Sequence, residues 1–473
     1  MQKKKVILGA AAAAVVLAGA HYGGATLIGP KVEDRFRAEI QRLDALDQRA
    51  TIRVSDYQAG RLTSTAEVMV RPAALESSAK GAKTKDEDQG PLPGIRFDVT
   101  LEHGPLLARL PLPFGAVGFE ATAHPDEALR QALADEIAPA PDTDTTLLTV
   151  SGRGGFTGTV SGDFHSAPFS ARAVEEELSV DWGGMTGSFS ADRDSLGLTA
   201  DAPSGELQEG TGNRFRLTDL HLEAEGTTTD GPYLLGRQSL TAGSMEALAP
   251  EGEIGIEELM VTSHLDREED GLRVGFETEA TALRLRGRDL ANPVDWEDVR
   301  LEAALAGVDA GAYGELAQVV QDYPGQVPEA VLRGRVLPAV QTILAGHPRL
   351  TLEEARATNA EGTLEATGEA SFREGARPDI NRPRTLVEAL DARLTLDAPA
   401  AAVKANLRRS LTSQGRSEEL ATRQAEMLVD ALAADGYLKA EGEDRYRTEI
   451  TFRGSQLLVN GQPALGLMGV LMQ

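Results

Sequence analysis

The stretch that decides the fold is RYRTEITFRGSQLLVNGQPALG, residues 445–466, which reads as strand, turn, strand and second turn. Every second residue from Tyr446 to Phe452 is apolar or threonine, and the residues between them are charged or threonine. This period of two predicts a strand with one apolar face. Gly-Ser at 454–455 and Asn-Gly at 460–461 accept the left-handed backbone of tight turns. The pattern predicts a hairpin that completes an antiparallel sheet. A binding role for the Asn-Gly turn is the alternative.

The same alternation recurs upstream and predicts that most of the chain is strand. In LRVGFETEA, residues 272–280, Leu272, Val274 and Phe276 share one side of the strand. Strand signals repeat every 8–15 residues between 144 and 309. The apolar positions shift by one residue at Thr218-Asp219, which predicts a bulge or a tight bend. We expect sheets with one solvated face.

Helical periodicity interrupts the strands at three places: residues 126–137, 312–345 and 417–435. Three prolines should break or kink the second segment: Pro324, Pro328 and Pro338. The apolar stripe of the third segment is Leu420, Met427, Leu428 and Leu432. Without regular alternation of strands and helices, the predicted fold class is α+β and β-dominated. Long antiparallel, curved sheets and a few packed helices would lie behind an N-terminal transmembrane helix.

The N-terminus predicts export. Lys3, Lys4 and Lys5 precede an apolar run, residues 6–28, whose 23 residues match the ~20 that a bilayer requires. This favours an uncleaved anchor in the inner membrane. Ala-Gly-Ala at 18–20 resembles a cleavage site, so a removed signal peptide is the alternative. Either interpretation places the rest of the chain outside the cytoplasm.

Composition excludes several classes of function. The chain has 73 acidic and 47 basic residues, a net charge of −26, which would repel the phosphate backbone of nucleic acid. Cysteine is absent, which excludes disulfides, thiolate metal sites and a cysteine nucleophile. We predict three regions: an anchor (1–29), a β-rich periplasmic region (30–310) and a mixed helix and strand region (311–473) ending in the hairpin. The polar stretch 77–93 is predicted to be a loop.

No catalytic, cofactor-binding or metal-binding residue is predicted. Asp266, Glu268, Asp270 and Glu277 fall at calcium-loop spacing, but strand-like flanks favour a hairpin turn over a calcium site. The glycine-rich stretch 152–158 lacks the final glycine of a dinucleotide fingerprint, and we interpret it as a strand. The histidines are scattered. Among them, only His103 lies in an ordered local pattern, which we interpret as a turn at the end of a strand.

Five segments together resemble a known family. They are the lysine-led anchor, LEHGPLL (101–107), GRQSLTAGSM (236–245), GHPRLTLEEARATNAEGTLEATGEASF (346–372) and DGYLKAEGEDRYRTEITFRGSQLLVNGQP (435–463). In this order they resemble the YdgA-like (YdgA/YihF) family of Gram-negative envelope proteins anchored in the inner membrane, a domain of unknown function. The acidic surface and the insertion at 77–93 depart from the family pattern. The resemblance implies a location but no catalytic residue.

Two classes of function follow. The first is a non-catalytic envelope protein, held in the inner membrane through residues 6–28, whose β-rich body binds a lipid, a polymer or a protein partner. The second is a periplasmic hydrolase with an unrecognised site near His103 or the Glu268–Asp270 pair. An apolar sheet surface would favour the first, and a polar pocket around His103 the second. Homo-oligomerisation is left open, and no nucleic acid partner is expected.

Overall fold

The computed structural model describes most of the chain between residues 50 and 464. The gaps in that range are residues 61, 73–92, 104–116, 135–136, 139–144, 156–157, 174–176, 211, 230, 288–293, 324–326 and 443. Further towards the N-terminus it describes seven helical residues: Glu33, Phe36, Arg37, Ala38, Ile40, Gln41 and Asp44. The chain divides into two compact units, Met1–Thr228 and Thr229–Gln473.

The first unit is built from twelve described strands. They are β1 (Ala50–Gln58), β2 (Thr63–Pro72), β3 (Ile95–His103), β4 (Val117–Pro125), β5 (Ile137–Ala138), β6 (Leu148–Gly154), β7 (Val160–Ser166), β8 (Phe169–Ala173), β9 (Leu178–Trp182), β10 (Met185–Ala191), β11 (Ser195–Glu209) and β12 (Asn213–Thr228). All their pairings are antiparallel, in the order β1-β2-β3-β4-β6-β7-β10-β11-β12. Strands β5, β8 and β9 form a small ladder in that order. Its last strand, β9, pairs with the C-terminal end of β11, beyond the part of β11 that pairs with β10.

Glycines shape the core of the first unit by letting aromatic rings lie directly on the backbone. The rings of Phe119 and Phe189 lie 6.4 Å apart. A Cβ on Gly152 would stand 2.5 Å from Cζ of Phe119, and one on Gly162 would stand 2.6 Å from Cζ of Phe189. Only glycine allows this approach. The strand predicted for the glycine-rich stretch is present from Gly152 to Gly154, where β6 ends.

The second unit has eleven described strands. They are β13 (Leu234–Ala249), β14 (Gly252–Glu268), β15 (Gly271–Gly287), β16 (Val294–Val308), β17 (Arg349–Asn359), β18 (Gly362–Phe372), β19 (Leu390–Pro399), β20 (Lys439–Ala440), β21 (Arg445–Arg453), β22 (Gln456–Val459) and β23 (Gln462–Pro463). Consecutive strands pair antiparallel from β13 to β19, then β19 pairs with β21. The other edge of β21 carries β20 and β22, and β23 pairs with β22.

The closing hairpin forms as the sequence predicts. Gly454 and Ser455 have φ of 57° and 65° and connect Arg453 to Gln456, the pattern of a two-residue turn. A second turn of the same kind follows at 460–461, where φ is 51° and 82°. The whole described chain is β-dominated with long antiparallel strands and seven helices, which confirms the coarse fold prediction.

The helices are α1 (Glu127–Ala134), α2 (Ala310–Asp322), α3 (Glu329–Val331), α4 (Leu337–Ala345), α5 (Pro383–Ala389), α6 (Ala400–Ser413) and α7 (Glu418–Ala434). The three predicted helical segments are present, and the second is interrupted after α2. A π-helical turn, Leu332–Val336, joins α3 to α4. The side chain of Asp309 caps α2 by accepting a hydrogen bond from the backbone N–H of Ala312 at 2.8 Å. The sequence interpretation missed α5 and α6.

The packing face predicted for α7 is wrong. Leu420, Met427 and Leu428 are 48%, 71% and 42% exposed, whereas Ala421, Ala425 and Val429 are buried. In α6, Ala402 and Ala405 are also buried, and α6 contacts α7. Small side chains let the two helix backbones approach closely, so packing selects the alanine face over the leucine face.

The shift predicted at Thr218-Asp219 is a bend and not a bulge. Asp219 has a φ of 50°, yet the pairing with β11 keeps one register on both sides of it. Glu258 in β14 and Asp298 in β16 also have positive φ, 48° and 51°, and both fall opposite Thr281 of β15. At Asp219 and Glu258 an acidic residue in the left-handed region therefore bends the strand without inserting a residue, whereas at Asp298 the pairing of β16 with β17 also shifts by one residue.

The predicted membrane anchor, residues 6–28, and the predicted loop up to residue 92 lie outside the described residues. Among the helices that the structure describes, none combines the length and the apolar character needed to cross a bilayer. The predicted change from strand-rich to mixed sequence near residue 310 falls within the second unit, where α2 begins.

Candidate ligand-binding surface

The sheet of the second unit has one apolar and one charged face. Residues directly opposite each other in an antiparallel pair point to the same side, so rows of partners define a face. One such row is Ser263, Phe276, Ala303, Leu352, Gly368, Leu394, Ile450 and Val459. The next row is Leu265, Val274, Leu305, Leu350, Ala370, Ala392, Phe452 and Leu457. We call this side the apolar face.

A small core covers one part of the apolar face, where Leu265, Val274 and Leu305 of the second row pack with residues of α2 and α4. Elsewhere the face keeps large apolar side chains exposed. Phe276, Leu301 and Leu350, on three neighbouring strands, are 41%, 38% and 48% exposed. Ile450 and Phe452 of the closing hairpin lie on this face, as predicted, but are only partly buried. Contiguous exposed apolar surface on a water-soluble body commonly marks a site where a partner or ligand binds.

A hollow of about 260 Å³ lies in the apolar face between β17 and β21. We call it the apolar hollow, and its main walls are Leu350, Leu352, Leu394, Ile450 and Phe452. Gly368 lies on β18 within this group, and a Cβ there would stand 3.2 Å from Cδ1 of Leu394, so glycine lets this wall residue lie close to the backbone. The hollow is concave and hydrocarbon-lined, which suits an aliphatic chain.

A second cavity of about 310 Å³ lies at the β13–β15 end of the apolar face and is bordered by α2. We call it the polar pocket, and its polar lining includes Tyr233, Gln238, Ser263, Tyr313 and Gln321. The rings of Tyr233 and Tyr313 meet edge to face, with centroids 5.3 Å apart. Burial, and then the neighbouring Tyr233, raise the pKa of the Tyr313 hydroxyl, which keeps that hydroxyl protonated and neutral.

The opposite side, the charged face, is covered by ion pairs. Arg300 contacts four carboxylates at 3.0–3.4 Å: Glu277, Glu279, Glu302 and Glu354. Arg393 contacts Glu449 at 2.6 Å across β19 and β21. These cross-strand pairs are partly solvated, so each contributes modestly to stability, but together they give the sheet a hydrophilic side.

A third cavity, of about 430 Å³, lies in the first unit, and its lining includes several serine side chains. Opposed residues Ser151, Asp163, Ser188 and Thr199 form one of its rows, and the hydroxyls of Ser188 and Thr199 lie 2.8 Å apart. A serine nucleophile is usually activated by an adjacent base such as histidine, and no histidine lines this cavity. We therefore favour the apolar face as the functional surface.

The residues considered from sequence do not converge on one site. The backbone of His103 ends β3 opposite Val117, and the Gly-Pro step that follows lies outside the described residues. Glu268 and Gly271 flank a two-residue hairpin turn, while Glu277 lies along β15 opposite Thr262 and contacts Arg300. The calcium-loop alternative is thus wrong in its geometry. No group of three acidic or histidine side chains in the described parts of the chain is arranged to hold a metal.

The sequence left two roles open for the turn at Asn460, a structural role in the closing hairpin and a role in binding. Its Oδ1 accepts a hydrogen bond from the N–H of Glu449 at 2.9 Å. Its Nδ2 donates to the carbonyls of Gly436 and Tyr437 at 3.1 and 3.0 Å. The amide group is therefore occupied in tying the end of α7 to the hairpin, which favours the structural role over binding.

Comparison with known proteins places the chain in a family. A family model described as "Bacterial protein of unknown function (DUF945)" matches residues 3–464. No curated protein and no solved structure matches the chain. The match covers both compact units and the closing hairpin. The chain therefore belongs to the DUF945 family of bacterial proteins of unknown function.

Proposed function

We propose that the protein is a non-catalytic envelope protein of the YdgA-like type, anchored in the inner membrane through residues 6–28, whose β-rich periplasmic body binds the acyl chain of a lipid. The observation that carries this proposal is the apolar face of the second unit, with exposed Phe276, Leu301 and Leu350. The alternatives are a protein or polymer partner on the same face, and a hydrolase.

Hydrocarbon contact supplies the binding energy in this proposal. Each methylene removed from water contributes about 0.8 kcal/mol, so a chain lying along the hollow gains several kcal/mol. The walls are contributed by β17, β19 and β21, so the hollow runs across strands that are hydrogen-bonded to their neighbours. A site on such a framework exists before the ligand arrives, which reduces the ordering cost of binding.

Native mass spectrometry of the protein from residue 31 onward tests the lipid proposal. We expect co-purified lipid, and we expect Ile450→Asn to reduce it about 10-fold, because a wall of the hollow becomes polar. Thr451→Asn is the matched control, since the neighbouring residue points to the charged face. Consistent recovery of empty wild-type protein would overturn the lipid proposal and leave a protein or polymer partner.

Membrane fractionation tests the proposed location. Lys3–Lys5 and the apolar run 6–28 support retention in the inner membrane after export. We expect the full chain in the inner-membrane fraction. A mature N-terminus at His21 in the purified protein would contradict the anchor.

A further inference from the structure

We infer that the polar pocket receives an uncharged, hydrogen-bonding head group, so that the lipid held by the apolar face is a neutral acylglycerol and not an anionic phospholipid. This inference rests on the proposed lipid binding and adds the class of head group.

The polar pocket and the apolar hollow belong to one continuous surface. Ser263 in the pocket is opposite Phe276, Phe276 is opposite Ala303, and Ala303 is opposite Leu352 in the wall of the hollow. With strands about 4.8 Å apart, three steps across the sheet cover about 14 Å. A molecule with a polar head and an aliphatic chain can therefore place its two ends in chemically matching cavities.

The polar groups that line the pocket are neutral. Among the residues that the structure describes, the side chains of Tyr233, Gln238, Ser263 and Tyr313 make no hydrogen bond to one another or to other described residues. They line the open pocket, so their donors and acceptors are available to a ligand. The amide of Gln321 donates to the carbonyl of Pro232 at 3.0 Å and helps to close the wall. Hydroxyl and amide groups of this kind match the hydroxyls of a glycerol head group.

A phosphate group would lack its usual partners in the pocket. No lysine or arginine lines it, and binding sites for phosphate normally supply such a cation. The nearest arginine in sequence is Arg237, which lies directly opposite His264 in the β13–β14 ladder and points to the charged face. Its guanidinium donates there to the hydroxyl of Thr262 at 3.5 Å. His264 is among the residues that line the pocket, but its ring lies over Gly275 on the charged face. The net charge of −26 further disfavours anionic lipid.

Competition between two lipids with the same acyl chains tests the inference. The full chain, in nonionic detergent at pH 8, is incubated with equal amounts of dioleoylglycerol and dioleoylphosphatidylglycerol. Bound lipid is then quantified by mass spectrometry after gel filtration. We expect dioleoylglycerol to exceed dioleoylphosphatidylglycerol about 10-fold, a difference of ~1.4 kcal/mol.

Variants of the pocket separate the head group from the acyl chain. Tyr313→Phe and Gln238→Leu should bring the ratio of the two lipids towards one while total bound lipid stays within about 2-fold. Gln238 is exposed, so that variant should fold even if Tyr313→Phe does not. Tyr437→Phe, outside the pocket, is the control.

Each outcome decides between the two proposals. Equal recovery of both lipids by the wild-type protein, a preference for dioleoylphosphatidylglycerol, or an unchanged ratio in both pocket variants would overturn the inference while lipid binding stands. Recovery of neither lipid would overturn the proposed lipid binding as well.

Discussion

Replacing Asn460 with alanine should destabilise the second unit more than its position in a surface turn suggests. The substitution removes three side-chain hydrogen bonds, one from the N–H of Glu449 and two to the carbonyls of Gly436 and Tyr437. At about 1 kcal/mol each, these sum to about 3 kcal/mol. The φ of 51° adds up to ~1 kcal/mol, because alanine tolerates the left-handed region less well than asparagine.

Partial access of water to the site reduces this sum, and we expect a loss of about 2–4 kcal/mol in the free energy of unfolding. Urea denaturation measures the loss, and hydrogen exchange at the amide of Glu449 reports it locally, because that N–H donates to Asn460. Asn460→Asp should lose a similar amount, because a carboxylate oxygen would replace the donor that faces two carbonyls.

Ser455→Ala is the matched control. Ser455 has a φ of 65° in the neighbouring turn, already carries a Cβ and is exposed, so its truncation should change stability by less than about 0.5 kcal/mol. Equal small effects at both positions, with unchanged exchange at Glu449, would refute the role assigned to the Asn460 amide.

Three further predictions follow from packing and charge. Gly152→Ala should cost about 1–3 kcal/mol, because its Cβ would stand 2.6 Å from a backbone oxygen, whereas Gly255→Ala, with its nearest contact at 3.9 Å, should cost little in thermal unfolding. Val429→Ala should lower the free energy of unfolding by about 1–3 kcal/mol, because Val429 is buried, and Met427→Ala should lower it by almost nothing, because Met427 is exposed. A larger loss for Met427→Ala than for Val429→Ala would restore the leucine face as the packing face of α7. The hydrogen bond from Arg393 lowers the pKa of Glu449 below 4.5. The contribution of this ion pair to stability is therefore fully present above pH 4.5 and is lost as the pH falls through the lowered pKa. The difference in stability between the wild type and Glu449→Gln should therefore shrink below pH 4.5, and a constant difference at all pH values would contradict the pairing.

Local patterns in the sequence predict local structure well in this chain. The closing hairpin follows from alternation and from two dipeptides that accept positive φ, and both determinants lie within a few residues. The bend at Asp219 was visible for the same reason, as a shift in the spacing of apolar residues. Each of these features depends only on neighbours in the chain.

Features that depend on distant partners were not predictable in the same way. The stripe of leucines on α7 looked like its packing face, but the choice between that stripe and the alanines depends on α6. The helix α6 itself has little apolar periodicity, although Pro399 before it and Gly415 after it are recognisable boundary signals. Alternation showed that β14 to β21 have an apolar side. Whether a packed layer covers that side is a tertiary property that alternation does not encode.

The order of the strands in the second unit bears on how this unit folds. From β13 to β19 every strand pairs with its neighbour in sequence. Tight turns join β13 to β14, β14 to β15 and β17 to β18, so these pairings have a low entropic cost, whereas α2 to α4 lie between β16 and β17 and α5 lies between β18 and β19. Low contact order favours rapid, stepwise growth of a sheet from a local hairpin. Two pairings close long helical connections: β17 joins β16 across α2 to α4, and β21 joins β19 across α6 and α7. Docking of β17 on β16 and of the terminal hairpin on β19 should therefore be slower than closure of the local hairpins.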